Sequence, residues 1–106
     1  MIVGNLISKI GEDLSPPEGK RCTEVDVGGR TLMPGLIDMH SHVCFQEGML
    51  EGFNYDQMAM GAMAGSDLID YLLQGFTSLR DAGGNVLGIS NAIRDGRLVG
   101  PRIHPS

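Results

Sequence analysis

After Gly35 the chain passes from turn-punctuated extended pieces to a regular alternation of strand and helix signals, and this alternation restricts the fold more than any other feature. "LIDMHSHV", starting at Leu36, is a short apolar run suited to a buried strand. Asn54-Tyr55-Asp56-Gln57 offers a capping box, with Asn54 at the N-cap and Gln57 three residues on. Met58, Ala62, Gly65, Ile69 and Leu72 then recur at the spacing of one helical face. Gly75 stands where a left-handed residue would end that helix. "FTSLRD" supplies a second strand, closed by "AGGN". Ile89, Ala92 and Ile93 mark a shorter helix ending at Gly96, and "RIHPS" opens a third extended piece after the Gly100-Pro101 break. The order β-α-β-α-β implies a parallel sheet with right-handed crossovers.

The residues before Gly35 read differently. "MIVGNLISKIG" suits a hairpin turning at Gly4-Asn5, and "EDLSPPEGKR" reads as an exposed loop. A short strand around Glu24–Val27, a Gly28-Gly29 turn and a second extended piece follow, stopped by Pro34-Gly35. The expected organisation is therefore a β segment over 1–34 and an α/β segment over 35–106.

Composition removes several function classes. The net charge is −5 and the basic residues form no stripe, which argues against nucleic-acid binding and against polybasic attachment to a membrane. Every apolar stretch falls short of the ~20 residues that span a bilayer, and no leader pattern is visible, so a cytoplasmic location is expected. Cys22 and Cys44 lie far apart without CxxC spacing; two reduced thiols are expected, with a disulfide or thiolate metal ligation as the other readings.

The chemistry sits at the end of the first apolar run. In a strand, residues i and i+2 share a face, so His40 and His42 project together, with Asp38 expected on the same side. Their Cα atoms would lie about 6.6 Å apart at ~3.3 Å rise per residue. Two imidazoles at that separation can converge on one ion, whereas the same spacing on a helix would splay them. An HxH alone is a weak signal, because satisfied surface histidines are common. Its place at the C-terminal end of a strand strengthens it, since α/β barrels gather their chemistry there.

Around these histidines, "VDVGGRTLMPGLIDMHSHV" resembles the opening of the amidohydrolase superfamily, through Gly28-Gly29, Pro34-Gly35, Asp38, His40 and His42. The likeness continues in "GFTSLRDAGG" (Gly75–Gly84) and "DGRLVGPRI" (Asp95–Ile103), which look like the branch holding imidazolonepropionase-like enzymes, Xaa-Pro dipeptidases and Arg carboxypeptidases. The resemblance implies a TIM barrel beside a small β-sandwich. Residues 1–34 would belong to the sandwich, and 35–106 would form the first three strands and two helices of the barrel. It also implies that His40 and His42 ligate a divalent metal, usually zinc, with one or two ions in the complete protein. Such a metal polarises a carbonyl and lowers the pKa of bound water. The implied activity is hydrolysis of amide, cyclic amide or peptide-like C–N bonds in a small-molecule or short-peptide substrate. Asp38 would either steady the metal site or close the start of its strand.

The family's remaining ligands are a carbamylated lysine, two further histidines and an aspartate on the eighth strand. Lys9 and Lys20, the only lysines, precede the first barrel strand, and His104 matches no ligand position and is expected to be structural. A TIM barrel takes ~250 residues, against 106 here. The expectation is an N-terminal portion, inactive alone and without a catalytic residue of its own, that self-associates or joins the rest of its barrel. A truncated inactive remnant and a metal-binding or interaction module using an open sheet edge are the rivals. Arg80-Asp81 is read as a substrate contact or an ion pair holding a loop. Gly83-Gly84-Asn85 is a candidate anion turn lacking any nucleotide fingerprint, so no cofactor-binding residue is assigned. Met58, Met60 and Met63 are expected to fill a core or an interface.

Overall fold

The computed structural model describes residues 1–45 and 55–106. Asn54 lies outside the described residues, and the expected capping box is not formed: Gln57, expected three residues after the N-cap, is the first residue of the helix that Asp56 caps. Contacts divide the chain into two units, Met1–Leu32 and Met33–Ser106.

In the first unit, β1 (Ile2–Val3) pairs antiparallel with β2 (Leu6–Ile7), with Ile2 opposite Ile7 and Val3 opposite Leu6. Gly4 takes φ +61°, the left-handed conformation that a two-residue hairpin turn needs. The strand expected over Glu24–Val27 and its extended continuation are absent among the described residues. Only the turn survives: Gly28 N–H donates to Asp26 Oδ1 at 2.7 Å, and Arg30 N–H to the Val27 carbonyl at 3.2 Å. Side-chain alternation does not make a strand without a neighbouring ladder to satisfy its backbone.

The second unit holds the α/β alternation: β3 (Leu36–Ser41), α1 (Gln57–Leu73), β4 (Phe76–Asp81), α2 (Leu87–Arg94) and β5 (Arg102–Pro105). The three strands form a parallel sheet in the order β3-β4-β5. Asp56 is the N-cap of α1, its Oδ1 accepting from Ala59 N–H at 2.8 Å. At the other end Gly75, at φ +96°, donates to the Leu72 carbonyl. Its own carbonyl accepts from Leu36 N–H at 2.9 Å, so the residue that stops the helix also anchors the first strand of the parallel sheet. Helix α2 closes in the same manner: Gly96 is at φ +69°, and Ser90 Oγ ties the helix to the Ile103 carbonyl of β5 at 3.0 Å.

The core consists of Val43, Ala64, Leu68, Leu79, Val86 and Ile103. Helix α1 therefore packs through Ala64 and Leu68, not through the expected stripe; Met58, Ala62 and Ile69 are exposed. Apolar residues occupy most of the α1 circumference, so spacing alone does not single out a face, and small Ala64 lets the helix come close to the sheet. Of the three methionines, Met58 is exposed and Met60 and Met63 are half-buried. Strand β3 forms where expected but is not buried, with Ile37 at 61% and Met39 at 67% exposure. One edge and one face of it have no cover among the described residues.

The C-terminal ends of β3 and β4 are joined by a single carboxylate. Asp81 is fully buried; its Oδ2 accepts from Val43 N–H at 2.8 Å and its Oδ1 from Gly83 N–H at 3.0 Å. Ala82 N–H adds a bond to the Ser41 carbonyl at 2.8 Å. At the opposite end, Gly35 lies against the Thr77 side chain, where any Cβ would overlap it.

Two substitutions test these contacts. Asp81→Asn should cost about 2–3 kcal/mol, because an amide cannot accept from both N–H groups without turning a donor onto one of them. Gly35→Ala should cost about 1–3 kcal/mol from overpacking. Thr77→Ala should recover part of the Gly35→Ala loss. Urea melts of the single and double variants measure both effects, and additive Gly35 and Thr77 effects would contradict the contact.

Candidate functional site

The site begins with an irregularity in β3. Asp38 pairs with Leu79 and Ser41 pairs with Asp81, so three steps on β3 match two on β4. One extra residue is thus accommodated at Met39–His40, a β-bulge. The consequence is a change of face. Leu79 and Asp81 both turn to the helix-covered side and are fully buried. Their partners Asp38 and Ser41 share that side, half-buried and buried respectively. His40 and His42 flank Ser41 and therefore stand on the opposite, open face.

The two rings meet there. Their centroids are 5.2 Å apart with planes at 65°. The juxtaposition expected from the HxH spacing is present, although its geometry is not a plain strand repeat: His40 belongs to the bulge and His42 lies one residue beyond the strand. Asp38 departs from the expectation that it shares their side. Its Oδ1 accepts from the backbone N–H of His40 at 3.0 Å, fastening the bulge instead of facing the rings. The bond lies near the end of β3, not at its start, so it is not the strand-closing bond expected of Asp38.

His42 is half-buried, and its Nδ1 lies 3.2 Å from the Gly83 carbonyl. A carbonyl can only accept, so the bond requires the proton on Nδ1 and leaves the Nε2 lone pair free. That is the tautomer a metal-binding imidazole needs, and the backbone oxygen fixes the ring's orientation. Asp81 governs this arrangement indirectly, because the loop amide that it holds belongs to Gly83, whose carbonyl steadies His42. Gly84, at φ +132°, completes the loop beside Cys44 and Phe45.

Among the described residues no third His, Cys, Asp or Glu joins the pair. Two imidazoles of this kind fit a divalent ion as part of its ligand set, short of the three or four protein ligands of a zinc site. Cys44 does not extend the set. Burial pushes its thiol above the usual range, and the nearby Asp81 charge adds to the effect, so the thiolate is disfavoured. Both Cys22 and Cys44 are free thiols.

The remaining candidates separate. Arg80 and Asp81 do not pair; among the described residues the one ion pair is Arg94 with Asp95, at 3.3 Å on the surface. Asp81 does hold a loop, but through backbone amides. The sequence carried a faint signal of this, an acid at a strand end followed by small residues whose N–H groups are accessible. His104 lies on β5 opposite Arg80 and is exposed. Gly83-Gly84-Asn85 serves the His42 loop. Among the described residues, no helix is long and apolar enough to cross a membrane.

No family model matches the chain. Ochratoxinase of Aspergillus niger is 29% identical over 111 aligned residues, covering 100% of this chain and 23% of that protein. Imidazolonepropionase of Arthrobacter sp. is 30% identical, with 92% of this chain and 30% of that protein covered. Among solved structures, an amidohydrolase superposes with a TM-score of 0.74 at 33% identity, over 86% of this chain and 22% of that one. A prolidase complexed with N-methylphosphonate-L-proline gives a TM-score of 0.70 at 38% identity, over 77% and 20%. The chain thus spans less than a third of the length of the relatives it matches. Sequence and fold converge on one assignment: the chain belongs to the amidohydrolase superfamily.

Proposed function

We propose that this chain contributes the opening of a metal-dependent amidohydrolase, in which His40 and His42 are two of the ligands to a divalent ion, zinc being the one expected. On this reading β3, β4 and β5 with α1 and α2 form the first arc of a (β/α)8 barrel, and residues 1–34 belong to an accompanying β-sandwich. The observation that carries the proposal is the histidine pair itself. The rings stand 5.2 Å apart at the C-terminal end of a parallel strand, with His42 Nδ1 engaged by a backbone carbonyl.

The chain's own residues have definable tasks. Ser41 and Val43, turned to the covered side, set the two imidazoles on the open one. The Gly83 carbonyl holds the His42 tautomer, and Asp38 steadies the bulge under His40. A bound divalent ion supplies carbonyl polarisation and water activation near neutral pH. The further ligands and the carboxylate that handles the proton would come from later strands. The substrate class is a C–N bond of amide, cyclic amide or peptide-like type. Kinship with proteins named amidohydrolase, prolidase and imidazolonepropionase supports that class.

Zinc binding tests the proposal directly. Competition against a chromogenic chelator should show weak binding by the 106-residue chain, reduced at least about tenfold by His40→Ala or His42→Ala. In a polypeptide carrying the whole barrel, either change should remove metal and activity together. Metal retained by both variants would refute the ligand roles. Tight one-to-one binding by the chain alone would favour a self-contained metal-binding module. Isolated, the chain should also self-associate through the uncovered edge and face of β3. A monomer at every loading concentration in sedimentation velocity would contradict the proposed barrel arc.

A further inference from the structure

Helix α1 has two apolar faces, and the sheet uses one of them. Ala64 and Leu68 are buried, with Met60 and Tyr71 half-buried beside them. The stripe that the sequence spacing singles out lies on the other side. Met58 is 85% exposed, Leu73 80% and Ile69 45%, and Ala62 and Ser66 are exposed as well. The outward face of a surface helix normally carries charge. Here the helix has no basic residue, and its only acids are Asp67 and Asp70. At ~3.6 residues per turn Asp70 falls on the flank of the stripe and Asp67 towards the covered side. A contiguous apolar face on a helix already packed through its opposite side marks a surface for association.

Pattern and charge together select the partner. The stripe is symmetric about the midpoint between Gly65 and Ser66: Ala62 and Ile69 lie equally far from it, and so do Met58 and Leu73. Turned end for end, the stripe therefore matches itself, small residue against large, as a two-fold interface requires. An anionic lipid surface is disfavoured, because interfacial helices flank their apolar face with Lys and Arg, and α1 has neither.

We propose that α1 is a contact between two copies of this chain, packed antiparallel about a two-fold axis at Gly65-Ser66. Ala62 of one copy receives Ile69 of the other, and Met58 meets Leu73. The small residues at the axis let the helices approach to about 8 Å, and the longer side chains fill the ends where crossing helices diverge. The two Asp70 residues stay about 13 Å apart along the helix direction, beyond the ~8 Å screening length. The pairing uses the helix side of the sheet, away from the histidines and from the bare face of β3, and requires no metal.

The contact is about 25 Å long, the scale of a weak and reversible association, which a disulfide can trap. In a Cys22→Ser, Cys44→Ala background of the 106-residue chain, Ser66→Cys should cross-link into a dimer on mild oxidation, its two Cα atoms falling about 6 Å apart. Asp70→Cys, on the flank, should cross-link at least about tenfold less. Adding Met58→Asp and Leu73→Asp should reduce the Ser66→Cys dimer at least about fivefold, by setting like charges against each other. Both positions are exposed, so the circular-dichroism spectrum should not change. Equal cross-linking at positions 66 and 70 would show collision or association through β3 and overturn the pairing. A Ser66→Cys dimer that survives the two aspartates would do the same. In a polypeptide carrying the whole barrel the same trap should close. A thiol at position 66 that neither cross-links nor reacts with maleimide there would show that another segment of that polypeptide covers the stripe. One that reacts with maleimide without cross-linking would show a free or differently partnered face. Either result overturns the pairing, and both leave the ligand roles of His40 and His42 to their own variants.

Discussion

One buried carboxylate holds the functional end of this fold together. Asp81 has no basic partner; its two oxygens are spent on the N–H groups of Val43 and Gly83, one after each of two adjacent strands. An ionised acid without solvent is tolerated only when hydrogen bonds replace its hydration, and here those bonds cross-link the two loops that shape the site. His42 lies between these anchoring points, and its ring receives its orientation from the carbonyl of the same Gly83. The orientation of the His42 ring is thus set through the loop that Asp81 holds.

The surrounding elements serve this end in unequal ways. Helices α1 and α2 give β4 and β5 a covered side, with Leu68, Leu79 and Ile103 at its centre. Gly75 ends one helix and receives the first amide of β3, which sets the start of the sheet. The other face of the sheet keeps Ile37 and Met39 in the open. Among the described residues nothing covers that face of β3.

Much of this was legible from residue patterns, where local chemistry decides the outcome. Gly4-Asn5, Gly75 and Gly96 each announce a turn or helix end because only glycine enters the left-handed region freely. The strand–helix order followed from such stops. The juxtaposition of the two histidine rings followed from their spacing. Patterns misled where a tertiary neighbour decides. The α1 face was misplaced because apolar residues run round most of the helix, and the sheet chose Ala64 and Leu68. The strand near Val25 was read from alternation, but a strand exists only with something to pair with. Asp38 was put beside the histidines because strict alternation was assumed, and a one-residue irregularity moved it to the other side. Asp81 was read with Arg80 as a substrate contact or an ion pair holding a loop, since a sequence shows neighbouring charges but not which amides a fold will leave unsatisfied.

That irregularity at Met39–His40 has a consequence for how such a strand can change over generations. It works as a parity shift: upstream of it, odd and even positions mean one thing, and downstream the reverse. Deleting either of the two bulge residues would leave the other alone on the open face between Asp38 and Ser41, so that the strand would present His40 or Met39 beside His42 without touching any core side chain. Lineages could therefore exchange the chemistry presented by this strand through one small change in length, while the packed side of the sheet stays as it was.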